Sequence, residues 1–266
     1  MSRREHTSVE AGLLAQLQAE IRRRLFPHRH TALLAAIVFA FLVRPLVGDS
    51  GAGPPFFSMA LMFLLLLALY NISVDELTGE RKILLAQRRR RNIIGWALGV
   101  SAIALRMVVA LAPSPSLYLA DSFLWLLLFA FITWNELRAV LKERQITQEV
   151  ISMAISVYLL FGLTFGLFYI FLNDLQPNAF SFGSGAALTA EQVIPVLIYF
   201  SLTTLSTIGF GDITPLTLQA RYAAVAEGIT GQFYLAILVA RLVGMQMSQP
   251  ASPALKDENA IPKHKP

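Results

Sequence analysis

Six runs of apolar, almost uncharged residues constrain this chain more than any other feature: 31–47, 55–72, 93–112, 117–134, 150–172 and about 216–247. A bilayer core about 30 Å thick takes roughly 20 such residues per helix, so each run approaches or reaches a spanning length. The whole chain, 55% hydrophobic and 15% charged, has the composition of a membrane protein. Helices are the only open-ended elements that satisfy their own backbone in lipid, so the expected fold is an all-α membrane protein with six transmembrane helices.

The net charge of +5 could suggest a nucleic-acid binder, but its distribution argues against one. Arg3, Arg4, Arg22, Arg23, Arg24 and Arg29 precede the first run, and Arg81, Lys82 and Arg88–Arg91 separate the second from the third. Arg138, Lys142 and Arg144 follow the fourth, and Lys256, Lys263 and Lys265 lie in the tail. The opposite connections, 48–54, 113–116 and 173–194, hold no Lys or Arg. The positive-inside rule then places both termini in the cytoplasm, and all the runs alternate without conflict. Residues Arg88–Arg91 are read as a topology signal and a contact for anionic lipids. The expected location is a plasma membrane, that of a prokaryotic cell. No nucleic-acid partner is expected.

There is no cysteine, and His6, His28, His30 and His264 all fall outside the runs, so neither a thiol site nor an intramembrane metal site is expected. Residues 1–30 read as a basic amphipathic lead-in along the cytoplasmic surface, with Leu13, Leu14, Leu17 and Ile21 at helical spacing. No small-residue cleavage pattern precedes the first run, so it is expected to stay as an anchor. Residues 31–135 are expected to form a four-helix bundle, and 136–149 an interfacial linker helix. A pore unit is expected over 150–247, and a short cytoplasmic tail over 248–266, too short for a ligand-binding domain. Within the bundle, Arg44, Arg106 and Asp121 are charges in lipid; an Arg–Asp contact is expected, either as a structural pair or as part of a sensor or binding pocket.

Between the fifth and sixth runs stands "TTLSTIGFGDITP", residues 203–215. The apolar "PVLIYFSLTTL" before it reads as a helix. It starts either at Pro195, whose missing N–H suits a first turn, or upstream at a capping box from Thr189 to Gln192. From Pro195 such a helix reaches only ~15 Å, half a bilayer, so the chain must turn back. Irregular backbone at that depth survives only where protein buries it or where it lines water. Gly209 and Gly211 can take backbone angles closed to other residues, which lets the carbonyls of Thr207, Ile208, Gly209 and Phe210 aim to one side.

With these residues in place, "TTLSTIGFGD" resembles the selectivity-filter signature of potassium channels in the tetrameric P-loop cation channel superfamily. The resemblance covers 150–247; the first four spans resemble six-helix members only in number and orientation. It implies a homotetramer with a re-entrant pore helix and filter in each subunit, conducting K⁺ passively, with K⁺ as the permeant ion and no cofactor. The implied coordinating groups are the carbonyls of Thr207, Ile208, Gly209 and Phe210 and the Thr207 hydroxyl, with Ser206, Gly211 and Asp212 supporting the filter and its outer mouth. Phe210 replaces the commoner Tyr, and Phe200 stands where its pore-helix partner often lies, so apolar packing between them is expected. A weakly selective monovalent cation channel is the alternative.

In the last run, Gly228 and Gly231 read either as an inner-helix hinge or as small residues for close packing. Gln232, Leu235, Val239, Val243 and Met247 recur at helical spacing and form a stripe suited to an inner vestibule and gate. Glu227, a carboxyl inside a span, is read as filter support bonding pore-helix hydroxyls such as Thr203 or Thr204, against a basic partner or cavity water. Gly162 and Gly166 read as a packing pair against the inner helix. The fourth run carries no array of positive residues, so a conventional voltage sensor is not expected. With no HExxH, GxSxG or in-span histidine, an enzyme is not expected either.

Overall fold

The computed structural model describes residues 29–47, 62–64, 66–69, 82–143, 145–183 and 190–247. Its elements are α1 (Arg29–Val47), a helical stretch within 62–69, α2 (Lys82–Leu111), α3 (Pro115–Lys142), α4 (Gln148–Leu175), β1 (Phe180–Ser181), α5 (Ala190–Leu205), β2 (Thr214–Pro215) and α6 (Leu218–Met247). Among the described residues four helical segments are long and apolar enough to cross a membrane: Arg89–Leu111, Pro115–Lys142, Gln148–Leu175 and Leu218–Gly244. Six were expected. α1 supplies only the shorter apolar stretch His30–Leu42, and the second run falls mostly outside the described residues, as do the lead-in and the tail.

Helix boundaries differ from expectation in two places. Residues 82–92, expected as loop, extend α2 at its N-terminal end, because Lys, Arg, Gln and Leu are all good helix formers and no breaker intervenes. Residues 136–149 do not form a separate linker helix. Residues up to Lys142 continue α3, the chain is extended at Glu143, and Thr147 caps the start of α4, its hydroxyl accepting from the Val150 N–H. The break therefore comes at a capping residue instead of at the change from apolar to charged sequence. At its other end α3 starts on Ser114 as N-cap with Pro115 in the first turn.

Apolar burial drives little helix association in lipid, so packing and interhelical hydrogen bonds carry more of it. α3 and α4 bury Leu128, Phe129 and Ile132 against Leu160 and Leu163, and the Thr133 and Thr164 hydroxyls meet across the seam at 2.8 Å. Such a bond contributes about 0.6 kcal/mol on average. α1 docks on α4 through Glu149, whose carboxylate accepts from the His30 N–H at 3.1 Å and the Thr31 hydroxyl at 2.8 Å. His30, expected outside the spans, is buried in the first turn of α1 with its imidazole 3.4 Å from Glu136.

The expected Arg–Asp contact is present. Arg106 of α2 meets buried Asp121 of α3 at 3.0 Å, and its guanidinium lies over the Trp125 ring. A second arginine, Arg241 of α6, was not singled out in the sequence. Its guanidinium donates to the carbonyls of Val140 at 2.6 Å, Leu141 at 3.0 Å and Glu143, capping the frayed end of α3. Helix ends leave such carbonyls without intrahelical partners, and a planar fork of donors suits them.

Candidate functional site: the re-entrant segment after α5

α5 runs from Ala190 to Leu205 with Pro195 inside it, so the upstream start is the one observed. Thr189, the proposed cap, lies outside the described residues. At 16 residues the helix reaches about 24 Å, still short of a bilayer. Its flank packs on α4, where the small pair recognised in the sequence is used. A Cβ on Gly162 would come within 2.6 Å of Leu202, and one on Gly166 within 3.0 Å of the Ile198 backbone. Both partners belong to α5, so the GxxxG pair packs against α5 and not against α6, the helix expected.

The chain after Leu205 turns back on the end of α5. The amides of Ile208 and Gly209 both donate to the Thr203 carbonyl, at 2.9 and 3.2 Å, and the amide of Thr207 donates to Thr204 at 3.0 Å. In a trans peptide the carbonyl points opposite the amide N–H it is bonded to. The carbonyls of Ser206, Thr207 and Ile208 therefore aim away from α5. Thr207, Gly209 and Gly211 all have positive φ, at 60°, 55° and 79°, alternating with Ile208 and Phe210. Gly209 and Gly211 were expected to take such angles; Thr207 was not. A β-branched residue there is strained by roughly 1–3 kcal/mol, a conformation that persists only where its surroundings impose it. No atom stands within 4 Å of a Cβ added at Gly209 or Gly211, so the requirement there is conformational and not steric.

Residues Thr207–Asp212 all lie open on one face of the subunit, with Ile208 59% and Phe210 67% exposed. Ser206 instead folds back, its hydroxyl donating to the Leu202 carbonyl at 2.7 Å. Phe210 stacks on Tyr199, ring centroids 6.3 Å apart and nearly parallel. The expected partner, Phe200, packs instead on Tyr169 and Phe180, because it points to the buried side of α5. The Tyr199 hydroxyl lies close to the Asp212 carboxylate. Beyond it, β2 pairs antiparallel with β1, Phe180 opposite Pro215 and Ser181 opposite Thr214, which staples the end of the segment to the loop after α4.

α6 passes behind and below this strand. A Cβ on Gly231 would collide with the Leu205 carbonyl and come within 2.9 Å of the Leu205 side chain, whereas one on Gly228 would meet only Thr204 at an ordinary 3.8 Å. The Gln232 amide reaches toward the Thr207 hydroxyl at 3.5 Å. Leu235, Val239, Val243 and Met247 are exposed along the same helix. Glu227 is fully buried, and its partners are the hydroxyls of Tyr169, at 2.6 Å, and Ser201. Thr203 and Thr204, the partners expected, instead face elsewhere, the Thr203 hydroxyl donating to Phe200 within its own helix. Tyr158 of α4 closes the end of α5 by donating to the Leu205 carbonyl at 3.3 Å. Tyr158, Tyr169, Tyr199 and Ser201 carry no motif of their own, and only their apolar surroundings set them apart in the sequence.

Residues 155–247, which take in most of α4 and all of α5, the turned-back strand and α6, match the model of a family described as "Ion channel". No curated protein and no solved structure matches the chain. The region of the chain similar to an ion-channel family is thus the one that carries the open strand, and its helices have the length and apolarity of a membrane protein.

Proposed function

We propose that this protein is a potassium-selective channel, in which the strands 207–212 of four identical subunits face one another across a common axis. The observation that carries the reading is the amide pattern at Thr203 together with the alternating positive φ at Thr207, Gly209 and Gly211. Peptide amides satisfied on the protein side leave their carbonyls unpaired on the other. In a bilayer such carbonyls are tolerated only along a water-filled path, where a ring of them can replace the shell of a dehydrated cation.

A single subunit leaves this strand open on one face, and a second copy of the chain is the covering that symmetry supplies. The coordinating groups are the carbonyls of Thr207, Ile208, Gly209 and Phe210 and the Thr207 hydroxyl. Asp212, close to Tyr199, lies at the outer mouth and concentrates cations there. α5 ends at Leu205 with its negative dipole end toward the cavity side, where Gln232 and the stripe through Val239, Val243 and Met247 line the exit. Exposed Arg89 and Arg90 at the cytoplasmic end of α2 suit contact with anionic lipid headgroups.

Purified protein reconstituted in liposomes tests the reading. Expected are K⁺ flux that Na⁺ does not replace, tetramers by cross-linking, and loss of flux in Gly209→Ala with assembly retained. Equal K⁺ and Na⁺ permeability would establish the weakly selective cation channel in its place. A monomer without flux would refute both.

A further inference from the structure

Three helices meet at Glu227. Its carboxylate is 0% exposed, and each oxygen is taken by a different helix: one accepts from the Tyr169 hydroxyl of α4 at 2.6 Å, the other from the Ser201 hydroxyl of α5. The Ser201 hydroxyl also stands 2.6 Å from the Gly162 carbonyl of α4, so the same serine touches both neighbouring helices. The partners of Glu227 are hydroxyls, and no basic group pairs with it among the described residues. A carboxylate so placed is held by geometry, since two fixed donors define both of its oxygens.

The junction reaches both ends of the open strand. On the near side, Ser201 lies in the last turns of α5, next to Thr203, whose carbonyl collects the amides of Ile208 and Gly209. Any change in the height or tilt of α5 moves that carbonyl and the peptides hung from it. On the far side, Tyr169 is wedged between Phe180 and Phe200, at 5.4 and 5.1 Å, and Phe180 belongs to β1, which staples Pro215 just past the strand. Tyr169 thus links the carboxylate to the outer end of the segment. One turn of α6, from Gly228 to Gly231, seats the end of α5 at Thr204 and Leu205.

We infer that Tyr169, Ser201 and Glu227 are positioning residues for ion selectivity. They fix the distance between the two anchored ends of the strand, and so the spacing of the carbonyls between them. This deepens the channel reading and rests on it. A cage of carbonyls separates two monovalent cations by size and field only as long as it resists collapse around the smaller one. Without the junction, each end of the strand keeps its own hydrogen bonds but the two ends are no longer tied to one carboxylate, and Na⁺ gains access that the wild type denies it.

The test measures the permeability ratio of Na⁺ to K⁺ in liposomes for wild type, Glu227→Gln, Tyr169→Phe and the double variant, with Thr164→Val as a control in the α3–α4 seam. Each single variant is expected to raise the ratio about twofold or more, the low end of coupling between contacting residues. The double variant is expected to be no worse than the worse single, because the groups act as a unit, and Thr164→Val is expected to match wild type. Tyr169→Phe removes one oxygen atom and carries the test alone should Glu227→Gln not assemble. A wild type that fails to favour K⁺ sinks the channel reading itself. A selective wild type with unchanged ratios in the variants, or with the control shifted equally, overturns only the positioning role.

Discussion

Gly231 offers a test in which two explanations of the same residue give opposite results for its neighbour. If the glycines of α6 serve bending, Gly228→Ala and Gly231→Ala should both stiffen the helix and impair opening alike. The structure assigns them different surroundings. An Ala methyl at Gly231 runs into the Leu205 carbonyl, which is backbone held in turn by the Tyr158 hydroxyl and cannot rotate aside. Overpacking of this kind costs about 1–3 kcal/mol, and replacing a helical Gly by Ala returns up to about 1 kcal/mol. The net expectation for Gly231→Ala is a loss of up to roughly 2 kcal/mol, the cost less the helix gain, together with displacement of the end of α5 and reduced K⁺ flux. At Gly228 the methyl meets Thr204 at 3.8 Å, so the helix gain stands unopposed and the variant should be as stable as wild type or slightly more so. Thermal unfolding of the detergent-solubilised protein and K⁺ flux from liposomes read the two quantities. Gly228→Ala proving as damaging as Gly231→Ala would falsify the packing argument.

Gly209→Ala places a side chain at a φ of 55°, at about 1–2 kcal/mol per residue; liposome flux should be lost while size-exclusion chromatography still reports assembled protein. Arg106→Leu should destabilise more than Asp121→Asn, because it strands a buried carboxylate, whereas the arginine side chain is 43% exposed and can find water or headgroups; thermal midpoints in detergent rank the two. Arg241→Lys should behave nearer to Arg241→Ala than to wild type, since one ammonium cannot fork across the carbonyls of Val140, Leu141 and Glu143; limited proteolysis at residues 141–147 reports the freed helix end. With no positive array in α3, conductance should vary little between positive and negative membrane potentials, read in planar bilayers.

The turned-back strand was the most legible part of the sequence, because its requirement is local. Only glycine enters the left-handed region freely, so Gly209 and Gly211 announce their backbone without knowledge of the fold. Thr207 shares that conformation and was not legible, since its φ is imposed by amides hung from Thr203 and not by its own type. The caps at Ser114 and Thr147, which set the observed helix starts, were not singled out in the sequence. Helix ends were misplaced where charge density was taken as the boundary, at 82–92 and 136–149. Of the pairings across helices, Arg106 with Asp121 was legible from two charges at similar depth in lipid, but the hydroxyl pairings were not. Glu227 was marked by its cost in lipid, but its choice of Ser201 and Tyr169 over Thr203 and Thr204 depends on the rotation of α5 against α4 and α6. The same rotation turns Tyr199, and not Phe200, toward Phe210.

The grip of Arg241 on the end of α3 bears on how the molecule moves. Val239 and Val243 flank that arginine on the same stretch of α6, so the portion of α6 suited to closing the exit is moored to the helix that ends the N-terminal bundle. A swing of this end of α6 must either carry α3 along or first let go of those carbonyls. On the proposed channel reading the N-terminal helices become ballast for the pore, and a pull on them, from lateral tension or from a bound headgroup, reaches α6 through Arg241 and through the cluster in which Val140 packs with Tyr234 and Leu238.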